Sequence, residues 1–288
     1  MVLAAVAQLC SRADIMENLV RCQSIIRRAS AQGAKMIFLP EASDFIADPS
    51  CYPSLSTTLD KSKFVQGIQS SARQYQCWVS VGVHEKNSEG SKKCFNTSLI
   101  ISDQGLIEQA YRKIHLFDID LNKDTAANES QSISPGKELL KPLSTPIGII
   151  GQLICYDVRF PEPALIHRLR NAHVLSYPSA FTVRTGAAHW QTLLRARAIE
   201  TQCYVIAAAQ VGVHMDHPVR QSWGHAMIID PWGTILAQAP DLPPPKVENE
   251  EWGTNISLAD INLDTLNSLR LSMPVFNQRR NDIYPRLD

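Results

Sequence analysis

Three residues of this chain, Cys155, Glu41 and Lys113, carry side chains suited to one joint piece of chemistry. Cys155 ends the apolar run Ile149-Ile150-Gly151-Gln152-Leu153-Ile154 and precedes the Tyr156 to Glu162 approach to a helix. At a strand-to-helix junction a side chain faces outward from the sheet edge, and nearby backbone N–H groups can receive a developing oxyanion. Glu41 follows the run Met36 to Leu39 after Pro40, which gives it the matching place in the first half of the chain. Lys113 follows the run Leu106 to Tyr111. A thiol nucleophile, a carboxylate base and a cation to hold an oxyanion together make a hydrolytic set. Each residue also has a plainer reading: a core cysteine, a helix N-cap, and a surface lysine beside Arg112.

The elements that must position these groups follow from periodicity. Val2 to Gln8 reads as a buried strand, and Asp14 with Glu17 as an N-cap pair opening a helix. That helix buries Ile15, Leu19, Cys22, Ile26 and Ala29, and Gly33 ends it. Lys35 to Leu39 is a strand; Phe64, Ile68, Ala72 and Tyr75 mark a second helix. Val79, Val81 and Val83 alternate with Ser80, Gly82 and His84 as a half-buried strand, and Phe95 to Ile101 with Leu106 to Tyr111 form a hairpin. The second half repeats this order: strand Gly148 to Ile154, helix Glu162 to Arg170, strand Val174 to Tyr177, helix Ala188 to about Thr201, strand Tyr204 to Ala209, and a hairpin of Ala226 to Ile229 with Thr234 to Ala237. Two such α/β layers, each with one helical face, bury their bare sheets against one another. The expected fold is α/β, a four-layer αββα sandwich with an internal pseudo-two-fold repeat, built as a single domain over residues 1–288. Phe117 to Pro135 is long and irregular, as functional lids are, and Asp241 to Glu251 reads as an exposed loop.

Composition removes several classes of function. The 288 residues balance 28 basic against 28 acidic side chains, so no global field holds nucleic acid or an anionic membrane. With 44% hydrophobic and 19% charged residues the chain can bury a sizeable core, and no apolar run approaches the roughly 18 residues of a membrane span. Val2 to Leu9 lacks a basic leader and fits a strand better than a signal peptide, which places the protein inside the cell. The seven cysteines are odd in number and never spaced Cys-x-x-Cys, so neither a disulfide framework nor a zinc knuckle is signalled. His214-x-x-His217 with His225 lacks an acidic partner and contains Pro218, and reads as loop histidines rather than a metal site.

Phe38-Leu39-Pro40-Glu41-Ala42, Tyr111-Arg112-Lys113-Ile114-His115-Leu116 and Cys155-Tyr156-Asp157-Val158-Arg159-Phe160-Pro161-Glu162 occur in this order. They resemble the Glu, Lys and Cys motifs of the nitrilase superfamily of carbon–nitrogen hydrolases, and the resemblance runs from residue 2 to Tyr284. Thr185 to Trp190, Leu194 to Tyr204 and Asp230 to Thr234 look like the Nit amidases of eukaryotes. Leu39 to Ala47 and Pro274 to Arg280 are similar to the branch acting on deaminated glutathione. The resemblance implies an amidase releasing 2-oxoglutarate and cysteinylglycine through a thioester, with Glu41 as base, Cys155 as nucleophile, and Lys113 with the Tyr156 backbone N–H on the oxyanion. It makes Glu129 the second active-site glutamate, and it implies no cofactor and no metal. There is no Fhit-like nucleotide-binding segment, so the hydrolase unit is expected to stand alone.

A substrate with several carboxylates calls for cations. Arg159 is the candidate for the α-carboxylate, its alternative being a salt bridge to Glu162 or Asp157, and Arg184 the candidate for the glycine end. His189 is expected in the pocket wall, Arg195 and Arg197 in structural pairs with Glu200, and Cys203 in the core. The partners expected are a small carboxylated amide and a second copy of the chain, with the tail 274–288 packing on that copy, and no nucleic acid or membrane. The compartment expected is the cytoplasm, with a mitochondrial form available from an upstream start. Two other functions share the chain's features: an ω-amidase acting on 2-oxoglutaramate, and a non-hydrolytic binding or redox protein working through Cys155.

Overall fold

The strand Val2–Leu9 sends alternate side chains to two faces, and both are covered. Ala4 and Val6 enter a core shared with Ile150, Val174 and Val205, while Ala5, Ala7 and Leu9 pack with Leu19, Cys22 and Ile26 of the following helix. The computed structural model describes residues 1–88, 91–119, 127–215, 220–241 and 254–285. Most of the loop expected at 241–251 and the middle of the 117–135 stretch lie outside the described residues.

In the first half the strands lie in the order Val2–Leu9, Met36–Phe38, Trp78–Lys86, Cys94–Ile101 and Ile107–Arg112, three parallel and then an antiparallel hairpin. The second half repeats this with Gly148–Gln152, Val174–Ser176, Tyr204–Ala207, Met227–Ile229 and Ile235–Gln238. Each sheet also gains an antiparallel strand beside its first: Thr254–Ile261 in one, Leu143–Thr145 in the other. Helices Ile15–Ala31 and Lys63–Tyr75 cover the outer face of the first sheet; Pro161–Leu169 and Gln191–Thr201 cover that of the second. The inner faces meet in one apolar core, so the expected αββα sandwich and its repeat are both present.

Local signals work as their chemistry requires. Asp14 accepts hydrogen bonds from the Met16 and Glu17 N–H groups at 2.8 and 2.9 Å, and Gly33 takes a φ of +91° just past the helix end. Glu17 does not close the cap; its carboxylate pairs with Arg21 one turn on. All seven cysteines are free thiols.

Several expectations need correction. Trp78–Lys86 is buried on both faces, because the segment carrying Glu41 lies across it: a Cβ on Gly82 would stand 2.5 Å from the Glu41 Cα. The strand expected over Tyr204 to Ala209 is two strands, since the chain breaks at Ala208 and Ala209–Met215 crosses to the first sheet to pair with Val2–Leu9 and Arg220–Trp223. The helix expected from Ala188 starts at Gln191, after a wide helical turn over Gly186–Trp190 where Gly186 admits the Trp223 ring. Among the described residues no helix is long and apolar enough to cross a membrane. In the tail, which follows the helix ending at Ser272, Phe276 lies under the Arg168 guanidinium at 4.5 Å, while Ile283 is exposed and available to another copy of the chain.

Candidate active site

Glu41, Lys113, Glu129 and Cys155 converge where the two halves meet. Glu41 follows the second strand of the first sheet, and its chain continues the pairing with the neighbouring strand: the Leu39 N–H donates to the Ser80 carbonyl and the Ser43 N–H to the Gly82 carbonyl, both at 2.8 Å. Gln210, on the strand that crosses between sheets, donates to the Glu41 carbonyl at 2.9 Å, and Ala42 takes a left-handed φ of 53°. Lys113 follows the hairpin strand Ile107–Arg112, its N–H donating to the Asn96 carbonyl at 2.9 Å. Cys155 starts a single helical turn, Cys155–Arg159, with its N–H on the Pro178 carbonyl at 3.0 Å and a φ of 45°. A cysteine held in the left-handed region is a strained backbone position of the kind that presents a nucleophile. Cys155 follows the first strand of its half whereas Glu41 follows the second, so their places do not correspond under the repeat.

The Lys113 ammonium donates to Glu41 Oε1 at 3.0 Å and to the Glu129 carboxylate at 2.9 and 3.1 Å. Asn96 Nδ2 donates to Glu41 at 2.7 Å and to Glu129 at 3.2 Å, and the Phe117 N–H donates to Glu129 at 2.7 Å. The buried Cys155 thiol lies within reach of the Glu41 and Lys113 charges, and both act on it. Glu41, Lys113, Asn96 and Cys155 are all buried, so each charge depends on its neighbours. Burial pushes the Glu41 carboxyl up, but Lys113 and the hydrogen bonds from Cys155 and Asn96 outweigh it and hold the group below its ordinary value. Burial works against the Lys113 charge, and Glu129 with Glu41 reverses that and raises its pKa well above the ordinary value. Burial and the Glu41 charge push the Cys155 thiol well up, against Lys113. The resting state is therefore a neutral Cys155 thiol beside an ionised Glu41 and a charged Lys113.

Two residues of this arrangement were not singled out by the sequence. Asn96 sits in a strand with no local mark of function. Asp157, fully buried, accepts from the Tyr111 hydroxyl at 2.9 Å, the Ile154 N–H at 2.9 Å and the His115 N–H at 3.1 Å, with His115 Nδ1 at 2.8 Å. It ties the segment bearing Lys113 to the turn bearing Cys155. His115 also stacks on Phe160, ring centroids 3.7 Å apart.

Tyr156 follows the nucleophile, its ring edge-on to Phe117 at 5.1 Å, in the segment leading to Glu129. Arg159 makes neither of the salt bridges considered for it; Asp157 is committed elsewhere, and the guanidinium lies 3.4 Å from His189 Nδ1 and over the rings of Tyr156 and Phe181. Arg184 is exposed on the short helix Val183–Thr185, with no polar contact to these groups among the described residues. Arg197 is structural, donating to the Val158 carbonyl at 3.0 Å and to Glu200 at 2.6 Å, while Arg195 holds the Gly233 carbonyl instead of Glu200. Cys203 is in the core. His214 is buried between the Ser11 carbonyl and the Ser222 hydroxyl, and His217 lies outside the described residues. Among the described residues no group of three or more His, Cys, Asp or Glu side chains is arranged to hold a metal.

A family model described as carbon–nitrogen hydrolase matches residues 3–271. The chain is 45% identical over 289 residues to the protein named "Probable hydrolase nit2" of Schizosaccharomyces pombe, covering 100% of each. It is 43% identical to the deaminated glutathione amidase of Homo sapiens, over 99% of this chain and 84% of that one. Among solved structures it resembles the NitFhit protein of C. elegans, with a TM-score of 0.89 and 40% identity over 99% of this chain and 66% of that longer one.

Proposed function

The chain belongs to the carbon–nitrogen hydrolase family, and from that premise we propose that it is an amidase hydrolysing deaminated glutathione to 2-oxoglutarate and cysteinylglycine. The observation that carries the reading is the Lys113 ammonium set 3.0 Å from Glu41 and 2.9 Å from Glu129, with the left-handed Cys155 buried beside them. Similarity over nearly the whole chain to relatives named deaminated glutathione amidase supports the substrate.

The mechanism follows from the charges. A neutral thiol beside an ionised carboxylate cannot lose its proton in advance, so transfer to Glu41 accompanies attack of sulfur on the amide carbonyl. The carbonyl oxygen gains charge between Lys113 and the Tyr156 N–H, which are present before the reaction begins. As the tetrahedral species collapses, Glu41 returns the proton to the departing nitrogen, cysteinylglycine leaves as an amine, and a thioester remains on Cys155. Glu41 then takes a proton from water as it attacks the thioester, and the thiol is restored as 2-oxoglutarate departs. Glu129 holds the Lys113 ammonium from the side opposite Glu41 and fixes where it points. Arg159, with no carboxylate partner among the described residues, binds the α-carboxylate, with His189 beside it.

Both halves supply catalytic groups, so the whole chain acts as one hydrolase unit. It works in the cytoplasm as a homodimer. Ile199, on helix Gln191–Thr201, and Trp232, in the turn whose Gly233 packs against Ile199, are both exposed, and they suit a self-association surface. Light scattering should give twice the chain mass, and Trp232→Glu should reduce it to that of one chain; a monomeric wild type would remove this part of the proposal.

The function is tested by supplying deaminated glutathione in one reaction and 2-oxoglutaramate in another, and following 2-oxoglutarate. The larger kcat/KM is expected for the first. The reverse order would keep the mechanism and make the protein an ω-amidase. No product from either, with no acyl adduct on Cys155 by mass spectrometry, would return the binding or redox reading.

A further inference from the structure

Arg220 opens the strand Arg220–Trp223 at the edge of the first sheet. Its only polar partner among the described residues is the Tyr52 hydroxyl, which accepts from Nη1 at 3.2 Å, and no described carboxylate stands within ion-pair distance. The guanidinium is half-buried, so its donor N–H groups beyond the one on Tyr52 stay open to solvent or to a ligand.

Its surroundings tie it to the catalytic carboxylates. The Tyr52 ring packs edge-on to Phe45 at 5.5 Å and to His84 at 4.8 Å, and His84 Nδ1 lies 2.9 Å from Asp44, three residues after Glu41. The same apolar cluster holds Ile133, four residues after Glu129. Burial opposes the Arg220 charge, but Tyr52, Glu41 and Glu129 outweigh it and raise its pKa. The strand also borders the Arg159 side of the site: Ser222 bridges to Thr182, and the Trp223 N–H donates to the carbonyl of Phe181, whose ring lies under Arg159. Arg159 thus lies beside the turn of Cys155, and Arg220 stands at the edge of the first sheet, joined through Tyr52 to the segment that follows Glu41.

Chemistry distinguishes those sides. The acyl group remains on Cys155, whereas the leaving nitrogen must face the carboxylate that returns its proton, Glu41. We propose that Arg220 binds a terminal carboxylate on the leaving-group side of the scissile amide, so that the enzyme is built for amides whose amine portion is itself an acidic dipeptide-like fragment. In the cysteinylglycine portion that carboxylate lies about 7 Å from the scissile nitrogen when extended, two residues of chain. This assignment rests on the substrate reading above and moves the glycine-end contact from Arg184 to Arg220.

The test compares deaminated glutathione with the same compound carrying a carboxamide at the glycine end, in wild type and in Arg220→Gln, Arg220→Lys and Arg184→Gln. Wild type should favour the carboxylate-ended compound in kcat/KM by about tenfold or more, as a charge-assisted contact would give. Arg220→Gln should bring the ratio close to one, Arg220→Lys should keep part of it, and Arg184→Gln should leave it as in wild type. If the Gln variant does not fold, the Lys variant and Tyr52→Phe, which removes the guanidinium's one fixed partner, carry the same comparison. A wild type that hydrolyses both compounds equally well, an Arg220→Gln ratio equal to wild type, or a ratio lost in Arg184→Gln would overturn the assignment while leaving the amidase reading intact. A wild type that releases no 2-oxoglutarate from either compound would overturn both.

Discussion

The segments leaving the first strand of each half have the same place in the topology, and each contains a buried cysteine, yet only one meets a carboxylate. In the first half Cys10 points its thiol at the Val213 carbonyl at 3.4 Å; its own carbonyl accepts from Arg21 at 2.7 Å, and the next N–H donates to Gln210. In the second half Cys155 stands one position off that register, in a left-handed conformation, against Glu41. Burial raises both thiols above their ordinary value, so an activated resting thiolate is not what separates them. The difference is what faces each thiol: the Glu41 and Lys113 charges act on one, and the Val213 carbonyl with the His214 imidazole, its Nδ1 3.7 Å away, faces the other. A repeated fold offers two similar strand ends, and catalysis needs the groups of one half to be spent on the nucleophile of the other.

The sharpest way to break this comparison is to remove each thiol. Cys155→Ala should abolish turnover and thioester formation with an unchanged melting temperature, whereas Cys10→Ala should keep turnover within a few-fold and lose about 1 kcal/mol of stability, as a small buried deletion does. Measured rates and denaturant midpoints decide it, and a Cys155→Ala enzyme with more than a small fraction of the wild-type rate would end the assignment. Glu41→Gln comes next. Loss of the base should cost about 10²- to 10⁴-fold in kcat. In the wild type the lowered Glu41 pKa keeps the base ionised across the neutral range, so activity should be flat there and fall only below the ordinary carboxylate range. No rise is expected near pH 9, because the Cys155 thiol titrates well above its ordinary value. A pH–rate profile climbing through that region would mean a preformed thiolate does the work.

A smaller effect is expected where each half fastens its turn. The first uses a neutral amide: Gln210 holds the Ser11 N–H and hydroxyl and the carbonyls of Glu41 and Ala42. The second uses Asp157, a charge with donors from both halves. Asp157→Asn turns one acceptor oxygen into a donor facing other donors, and should cost about 2 kcal/mol of stability. Because that side chain aligns the Lys113 segment with the Cys155 turn, kcat should fall about tenfold with KM little changed, whereas a purely structural tie would lower stability alone. Kinetics and chemical denaturation on the same preparation separate the two.

How far the sequence could be read follows the same division. Strand order, helix faces and the repeat are written in hydrophobic spacing and in local caps such as Asp14 and Gly33, so each half could be laid out from its own residues. Glu41, Lys113 and Cys155 were visible because each follows an apolar run, and motif resemblance joined them. Asn96 acts through a partner 55 residues away in its own half, and Asp157 through one 46 residues away in the other half, relations that exist only once the chain is folded. The crossing of Ala209–Met215 was hidden for a related reason: Tyr204 to Ala209 is uniformly apolar, and nothing in it marks Ala208 as the point where the chain changes sheets. Arg220 carries no local mark of function, since its meaning lies in Tyr52 and Glu41 from the other end of the chain.

The smallest predicted effect tests whether the two halves are equally sensitive to acid. His214 holds the first turn through the Ser11 carbonyl, and His167 supports the second half beneath Gly151, its Nε2 3.2 Å from the Gln152 carbonyl. Burial lowers each to about 4. A histidine whose folded pKa lies below its unfolded value binds fewer protons when folded, so its contribution is complete above about pH 6.5 and is lost as pH falls toward 4. Each such histidine contributes at most about 3 kcal/mol to that loss. Urea midpoints of His214→Gln and His167→Gln between pH 7 and pH 4 should each show a shallower decline than wild type, by similar amounts. Equal slopes would mean that both turns are closed by neutral imidazoles, and a change confined to His214 would locate the acid weakness in the half that supplies Glu41.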